Sequence, residues 1–300
     1  MERIKKVFYF FNRLLSLLGI QYFVYAVIGH AVTDSCFLGG ILDLLHRLTA
    51  KGEIEETRLF FQRNAQRVRE NLDLLADEKS KTVYTSILQY RSTKHRKYIN
   101  PYKEKAAKQY LWDSLPVGDN ECIVDCGAFC GENSLAFQKY LQKRGKAPPQ
   151  VIAIEPDAKN YREMQKRLKK IQNKAVCSYC CGVWAEKAQM PFYGSNLSSS
   201  RVAREGNCTI AVDTIDNLVK GSGLHPTYIK MDVEGSEPQA LTGAQETIAK
   251  YHPKLAVCIY HSDADMLDLI PYIHENYPFY RLYVRHYSTF FGETVLYCIP

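Results

Sequence analysis

The spacing of apolar residues divides the chain into two regions. Before about residue 115, apolar positions recur at helical spacing; in residues 54–75 they fall on one face, and charged residues mostly fill the other. From about residue 120, short apolar runs alternate with helical patterns, which is typical of a mostly parallel sheet covered by helices. The pattern predicts a helical N-terminal region at 1–115 and an α/β domain at 116–300.

The α/β domain is predicted to form a doubly wound sheet. Strands are predicted at 121–126, 150–155, 175–182 (continuing into 189–193), 208–212, 227–232 and 254–260, and helices at 131–144, 158–172, 237–250 and 263–276. A capping box of Ser236 and Gln239 is expected to begin the helix at 237. The closing apolar runs, Phe279–Val284 and Thr294–Ile299, have no helix-length segment between them. We therefore expect them to pair antiparallel, with the last strand inserted into the sheet.

A glycine-rich turn follows the first predicted strand. Asp125 ends the apolar run, and Gly127 and Gly131 precede a helical pattern. Such a turn suits a small polar ligand, because glycine lets the backbone approach it and free N–H groups at the helix start face it. The second strand ends in Glu155, where a carboxylate can accept both hydroxyls of a ribose. Together these residues predict a nucleoside site.

One residue of the turn narrows the choice of nucleoside. Phe129 stands where the pyrophosphate-binding pattern G-x-G-x-x-G has its middle glycine. A bulky residue there argues against a pyrophosphate and favours S-adenosylmethionine, which has a ribose and an amino-acid tail but no phosphate. The alternative is a turn whose glycines serve packing only.

Further polar residues follow the later strands. Lys230, Asp232 and Glu234 share one side of a strand by its two-residue period, so they either form a buried network or face a cleft. His261 follows an apolar strand and is either a satisfied polar residue or a base. Histidine and carboxylate suit methyl transfer to oxygen, which requires removal of a hydroxyl proton. Asp232 and Glu234 could bind a divalent ion, but no third ligand stands at a defined spacing, so no metal ligands are assigned and metal dependence stays open.

Several segments resemble the FkbM-type methyltransferases. They are Val124–Ala128, Ala153–Asp157, Ile229–Glu237 and the closing Arg285–Tyr287 with Glu293–Tyr297. The resemblance covers about residues 118–300, and Ile229–Glu237 is its most specific part. It implies an S-adenosylmethionine-dependent enzyme, in most members an O-methyltransferase, acting on sugars and other natural products. It also implies a class I methyltransferase (Rossmann-like) sheet of seven strands, the last one antiparallel.

The resemblance also implies roles for individual residues. The candidates for cofactor binding are Asp125, Gly127, Ala128, Gly131, Glu155 and Pro156, and the candidates for catalysis are Asp232, Glu234 and His261. In this assignment Asp125, Gly127 and Gly131 line the methionine end of the cofactor. Glu155 holds the ribose, and Asp232 and Glu234 lie near the methyl group that is transferred.

Charge and cysteine usage bear on partners and location. The net charge of +7 is concentrated in residues 91–108, which hold seven Lys or Arg and one Glu. This segment is either a solvated linker or a surface for an acidic acceptor or an anionic membrane. Residues 14–33 carry no charge. They predict a packed helical hairpin, a helix on the membrane surface or a helix that spans the bilayer. The ten cysteines lie mainly in apolar runs, which favours a reducing, cytoplasmic compartment with possible membrane association.

The expected partner is a small-molecule or glycan acceptor, and no nucleic acid is expected. Acceptor contacts are predicted from the Ser-rich loop 194–200 and from loops after the strands. Two other classes stay open at this point. One is a nucleotide-dependent oxidoreductase or sugar-modifying enzyme on a Rossmann-like sheet. The other is a non-catalytic assembly protein that retains the methyltransferase fold.

Overall fold

The computed structural model describes residues 50–171, 175–193, 201–202, 206 and 208–300. The uncharged segment 14–33 and the loop 194–200 lie outside these residues. The described N-terminal part contains helices α1 (Lys51–Arg63), α2 (Ala65–Leu74) and α3 (Glu78–Thr93), followed by short 3-10 turns between Arg96 and Lys108. The amphipathic stretch 54–75 thus forms two helices, because the chain leaves helical geometry at Asn64.

Strands and helices alternate in the remainder of the chain. They are β1 (Cys122–Cys126), α4 (Glu132–Gln142), β2 (Gln150–Ile154), α5 (Ala158–Leu168), β3 (Val176–Tyr179), β4 (Gly182–Val183), β5 (Ala188–Tyr193), β6 (Arg201–Val202), β7 (Cys208–Asp213), α6 (Ile215–Ser222), β8 (Tyr228–Met231), α7 (Glu237–Thr242), α8 (Gln245–Tyr251), β9 (Lys254–Cys258), α9 (Asp263–Asn276), β10 (Arg281–His286) and β11 (Thr294–Ile299).

The main sheet has seven strands in the order β10-β11-β9-β8-β1-β2-β3. Strands β9, β8, β1, β2 and β3 run parallel to one another. Strand β11 lies between β10 and β9 and is antiparallel to both. This order confirms the expected doubly wound sheet with the last strand inserted antiparallel.

A second sheet was not expected from the sequence. Strands β4, β7, β5 and β6 form a separate four-stranded sheet, so the predicted strands at 189–193 and 208–212 are not part of the main one. Burial explains the division. Every residue of β1 and β9 is buried, whereas most residues of β5 and β7 are wholly or partly exposed. A sheet with one solvated face is antiparallel in most proteins, and β5 pairs antiparallel with β6 and β7.

The predicted helix 237–250 is also divided, into α7 and α8. The break falls at Gly243, where a Cβ atom would lie 2.1 Å from the carbonyl oxygen of Trp184. The chain therefore passes too close to a neighbouring backbone for any side chain at this position.

The N-terminal helices and the main sheet share one hydrophobic core. Val83, Tyr84 and Ile87 of α3 are fully buried in the same cluster as residues of β8, β9 and β10. The Tyr84 hydroxyl donates to the Met266 carbonyl (2.9 Å) and accepts from Asn71 Nδ2 (3.0 Å), which ties α2, α3 and α9 together. Trp112 is buried on the opposite face of the sheet. Residues before and after the predicted boundary near residue 115 therefore pack together in shared hydrophobic clusters.

The basic segment 91–108 directs part of its charge inward. Arg91 donates to Asp263 (2.5 Å), Lys94 lies 2.8 Å from Glu53, and the buried Arg96 guanidinium lies 5.9 Å from the ring centre of Phe290. These three cations are structural, so a purely solvated linker does not describe the segment. Among the described residues, no helix has the length and apolar character needed to cross a membrane.

Candidate active site

A cavity of about 640 Å³ lies at the carboxyl edge of the main sheet. Parallel strands end at this edge, which is where ligands bind in open α/β sheets. Five of the candidate residues line the cavity, namely Gly127, Glu155, Pro156, Asp232 and Glu234. The other four, Asp125, Ala128, Gly131 and His261, lie behind its wall. The second sheet adds an apolar side to the cavity through Val183, Phe192 and Ile210.

The turn after β1 brings the backbone close to the loop after β8. Gly127 has φ +71°, and a Cβ atom there would lie 1.9 Å from the Asp232 carbonyl oxygen. Only glycine fits this approach. Gly131, with φ +81°, faces Met164 and Leu168 instead, at 3.3 and 3.5 Å from a Cβ atom. It therefore packs α4 against α5 and does not reach the cavity.

Asp125 lies below the cavity, next to Lys230. Its carboxylate accepts a hydrogen bond from Ser134 Oγ (2.7 Å) and lies 3.3 Å from Lys230 Nζ. Lys230 also donates to the carbonyls of Cys126 (3.1 Å) and Gly127 (2.7 Å). Burial acts to lower the Lys230 pKa, but the Asp125 and Asp232 carboxylates outweigh it and the pKa is raised. Lys230 thus stays charged and forms the buried network that the sequence left as an alternative.

Glu155 presents a fixed carboxylate at the end of β2. Its Oε2 accepts from the Phe129 N–H (2.9 Å) and its Oε1 from the Asp157 N–H (3.0 Å). Burial raises the pKa of Glu155 to about 7, although these hydrogen bonds favour the charged form. Oε1 also accepts a long hydrogen bond from Asn160 Nδ2 (3.5 Å). A carboxylate oxygen has two lone pairs, so the capacity for a ribose hydroxyl lies mainly on Oε2. The acceptor capacity of Glu155 and the close glycine turn fit a nucleoside cofactor.

Asp232 is held in the cavity by two tyrosines. Tyr110 donates its hydroxyl to Asp232 Oδ2 (2.9 Å), and Tyr260 donates to Oδ1 (3.1 Å). Burial acts to raise the pKa of Asp232, but the positive charge of Lys230 and the neighbouring His261 outweigh it and lower the pKa. The carboxylate is therefore ionised at neutral pH and fixed in direction.

His261 sits behind Asp232, among carboxylates. Its Nε2 lies 3.4 Å from Asp232 Oδ1 and 3.8 Å from Glu234 Oε2, and its Nδ1 lies 3.1 Å from Glu237 Oε1. Its side chain is 8% exposed. Burial lowers the pKa of His261 in spite of the pull of Asp232. The structure thus brings the three catalytic candidates together, but His261 does not face the cavity.

Glu237 is a residue whose part in this arrangement was missed. Its carboxylate accepts from the N–H groups of Val233 (2.8 Å) and Gly235 (3.0 Å), so it fixes the turn that carries Asp232 and Glu234. The predicted capping box is wrong, because Ser236 makes no side-chain cap. The sequence did contain one indication of this role, an acidic residue in the first turn of a predicted helix, where negative charge is favourable.

Glu293 was also missed. It lies between β10 and β11, lines the cavity, and accepts a hydrogen bond from Gln109 Nε2. Burial, and then the charge of Asp232, raise the pKa of Glu293 to about 7. Gln109 and Tyr110 line the cavity from the end of the basic segment. Glu293 begins a segment that resembles the family, but no spacing in the sequence links Glu293, Gln109 or Tyr110 to the strand ends.

Backbone conformation marks the same site. Among the described residues, six other than glycine have positive φ, and four of these line the cavity: Tyr110, Phe129, Glu234 and Glu293. The other two, Lys94 and His252, end helices α3 and α8. Such conformations are unfavourable for bulky residues and concentrate at functional sites.

Comparison with known proteins identifies the family of this chain. The model of the methyltransferase FkbM domain matches residues 125–286, which contain all nine candidate residues. A search of curated proteins finds no match. The crystal structure of a methyltransferase FkbM from Methylobacillus flagellatus KT is similar, with a TM-score of 0.68 and 30% identity over 80% of this chain. This chain covers 60% of that protein.

More distant structures share the general chain path only. An rRNA methylase from Streptococcus thermophilus has a TM-score of 0.39 and 12% identity, over 64% of this chain and 89% of its own. A likeness of this size has no bearing on acceptor or mechanism.

Proposed function

Because this chain belongs to the FkbM methyltransferase family, whose cofactor is S-adenosylmethionine, we propose that it methylates a hydroxyl group of a sugar, glycolipid or natural product. The observation that carries the proposal is the ionised Asp232 carboxylate, held by two tyrosine hydroxyls in the cavity that Gly127 and Glu155 also line. The activity and the acceptor class are both part of the proposal.

Glu155 and Gly127 hold the cofactor in this proposal. Glu155 accepts a ribose hydroxyl through the lone pair of Oε2 that the Phe129 N–H leaves free. Its Oε1 already accepts from the Asp157 N–H and from Asn160 Nδ2. Gly127 lets the backbone approach the amino-acid tail, while Asp125 and Lys230 shape the turn from below. When bound, S-adenosylmethionine supplies an already activated methyl group. The protein therefore has to align an acceptor oxygen and remove its proton.

Asp232 orients the acceptor hydroxyl. Its direction is fixed by Tyr110 and Tyr260, and the positive charge of Lys230 keeps it ionised, so it accepts a hydrogen bond from an incoming hydroxyl. Proton removal falls to Asp232 itself or to Glu293, which shares the cavity and whose pKa of about 7 suits a general base. His261 does not line the cavity, so it does not reach the acceptor. Its role is to support Asp232, which lies 3.4 Å from its Nε2.

The test separates cofactor binding from turnover. Wild-type protein is incubated with methyl-labelled S-adenosylmethionine and fractions of glycans, glycolipids and small metabolites from the source cells. We expect label in a base-stable methyl ether, and Asp232→Asn should lose roughly 10²–10⁴-fold in that rate. S-adenosylhomocysteine affinity, measured by calorimetry, should stay unchanged in this variant. Asp268→Asn, an exposed carboxylate on α9, is the matched control and should keep full turnover.

Two results would contradict the proposal. Normal turnover by Asp232→Asn would mean that Asp232 does not orient the acceptor. Its carboxylate would then serve only the buried network around Lys230. A thermal-shift screen in which NAD or NADP stabilises the protein and S-adenosylmethionine does not would favour an oxidoreductase.

A further inference from the structure

A buried imidazole among carboxylates stands next to the cavity. The His261 side chain is 8% exposed, and neither ring nitrogen makes a hydrogen bond. Asp232 Oδ1 lies 3.4 Å from Nε2, and Glu237 Oε1 lies 3.1 Å from Nδ1. A buried polar group without a hydrogen bond is rare in proteins, and an unplaced ion is one of its ordinary explanations.

The nearby cations are engaged elsewhere. Lys230 lies 3.3 Å from Asp125 and donates to the carbonyls of Cys126 and Gly127. Arg91 donates to Asp263 and to the carbonyl of Tyr260. The carboxylates of Asp232 and Glu237 thus lie against one imidazole, and among the described residues neither Lys230 nor Arg91 donates a hydrogen bond to these two carboxylates.

We propose that Asp232, Glu237 and His261 bind a divalent transition-metal ion of the Mn²⁺ or Zn²⁺ type. One ligand atom from each of the three lies within 4.8 Å of the others. With metal–ligand bonds of about 2.0–2.2 Å, two ligands of one ion lie at most about 4.4 Å apart, so binding draws the three atoms slightly closer together. The ion binds through one ring nitrogen of His261 only. Two carboxylates with one imidazole form a mixed N/O set, which suits Mn²⁺ or Zn²⁺ better than Mg²⁺ or Ca²⁺.

Both carboxylates keep lone pairs for the ion, since each oxygen of Asp232 accepts only one tyrosine hydroxyl. The two oxygens of Glu237 accept one backbone N–H each, from Val233 and Gly235, and keep a further lone pair. These bonds also fix Glu237 in position, as outer hydrogen bonds do for metal ligands in general. Because Asp232 lines the cavity, an ion bound here lies beside the acceptor site.

The experiment measures metal binding directly and needs no turnover. Full-length protein is dialysed against a chelator and titrated with Mn²⁺, followed by electron paramagnetic resonance of the free ion and by calorimetry. We expect one ion per chain. Loss of an outer-shell partner lowers metal affinity by about 10–100-fold, so loss of a ligand in His261→Ala should lower it at least that much.

Matched variants make the result specific. His274→Ala removes an exposed histidine of α9 and should bind Mn²⁺ like wild type. Asp232→Asn is nearly isosteric and replaces His261→Ala if that variant fails to fold, as judged by its thermal unfolding; it should show the same loss. The proposal is overturned if the wild type binds neither Mn²⁺ nor Zn²⁺, or if the His261 and Asp232 variants bind like wild type.

Discussion

Residues at the cavity hold backbone conformations that favour glycine. Phe129 and Glu293 have φ of +48° and +64°, and both line the cavity. Gly127 also has a left-handed backbone. In addition, a Cβ atom at this position would lie 1.9 Å from the carbonyl oxygen of Asp232, so no side chain fits there. The energetic cost of the left-handed backbone and the cost of the close contact can therefore be measured separately. This requires a second glycine that has positive φ but no close contact at its Cβ position.

Gly127→Ala should destabilise the fold much more than Gly145→Ala. Gly145 has φ +68° but no atom within 4 Å of a Cβ position, so it reports the left-handed conformation alone. That conformation costs an alanine about 1–2 kcal/mol. In Gly127→Ala the β1 and β8 loops must also move apart. The free energies of unfolding, from urea titrations of both variants, give the comparison; equal losses would mean that the loops are free to shift.

Glu155→Gln should weaken S-adenosylhomocysteine binding, because hydrogen bonds to a charged group contribute roughly 1.5–3 kcal/mol each. The pKa of Glu155 is raised to about 7 by burial, so the carboxyl becomes neutral below that pH. Ribose hydroxyls favour the ionised form, and wild-type affinity should therefore fall as the pH drops through 7.

Calorimetry at pH 6 and pH 8 measures this dependence. Glu155→Gln should show little of it, and Glu163→Gln, a half-exposed glutamate of α5, should bind like wild type at both values. A wild-type affinity that does not change between pH 6 and pH 8 would argue against Glu155 as the ribose ligand.

Individual elements are positioned by a few polar contacts between them. At the start of α3, Asp77 accepts from the Ser80 N–H (2.7 Å) and pairs with Arg285 of β10 (2.7 Å). The Arg285 guanidinium also lies 4.6 Å from the ring centre of Trp112. One carboxylate thus begins a helix and fixes it to an outer strand of the main sheet. Glu237 has the same kind of role for the turn after β8, where it accepts from the N–H groups of Val233 and Gly235.

Asp77→Asn should destabilise the protein at pH 7 and have no effect in acid. Burial acts to raise the Asp77 pKa, but hydrogen bonds from Arg285 and Ser80 outweigh it and lower the pKa to about 2. A lowered carboxyl pKa stabilises the fold above the unfolded value of 3.8, and this contribution disappears as the pH falls through 2.

We expect a difference of about 1 kcal/mol at pH 7, since a third of the Asp77 side chain is exposed and solvent screens it. Denaturant unfolding at pH 7, 5 and 3 should show the difference shrinking at the lowest pH. Asp119→Asn, whose carboxylate is 77% exposed, serves as control and should match wild type throughout. A difference that persists unchanged at pH 3 would point to lost capping in place of lost charge.

At the scale of the whole molecule, the N-terminal helices complete the core of the main sheet. Tyr84 is fully buried and hydrogen-bonds to Met266 and Asn71. Tyr110, C-terminal to these helices, also reaches Asp232. The N-terminal region therefore contributes both to stability and to the cavity.

Tyr84→Ala should lower the free energy of unfolding by about 3–5 kcal/mol, as for other large-to-small changes of buried aromatic residues. Tyr102→Ala, at a tyrosine 38% exposed, should change it by less than about 0.5 kcal/mol. Urea unfolding of both variants provides the measurement. Similar small losses would mean that the helices pack only loosely on the sheet.

The main sheet and the polar residues at its strand ends could be predicted from local sequence patterns alone. Apolar runs such as Cys122–Cys126 are buried on both faces, so they predict parallel strands without any knowledge of contacts. Asp125, Glu155 and Asp232 follow such runs, and the ligand-binding edge of a doubly wound sheet is fixed by chain direction. The short connection before Thr294–Ile299 likewise predicted the antiparallel last strand.

Tertiary structure decided which of these residues reach the cavity and what surrounds them. Asp125 and His261 have the same strand-end signal as Asp232, yet they lie behind the cavity wall, because side-chain direction depends on the turn that follows the strand. Glu293 and Tyr110 come from distant segments with no shared spacing. Their approach depends on how the hairpin and the N-terminal region pack, which involves contacts that local sequence patterns do not encode.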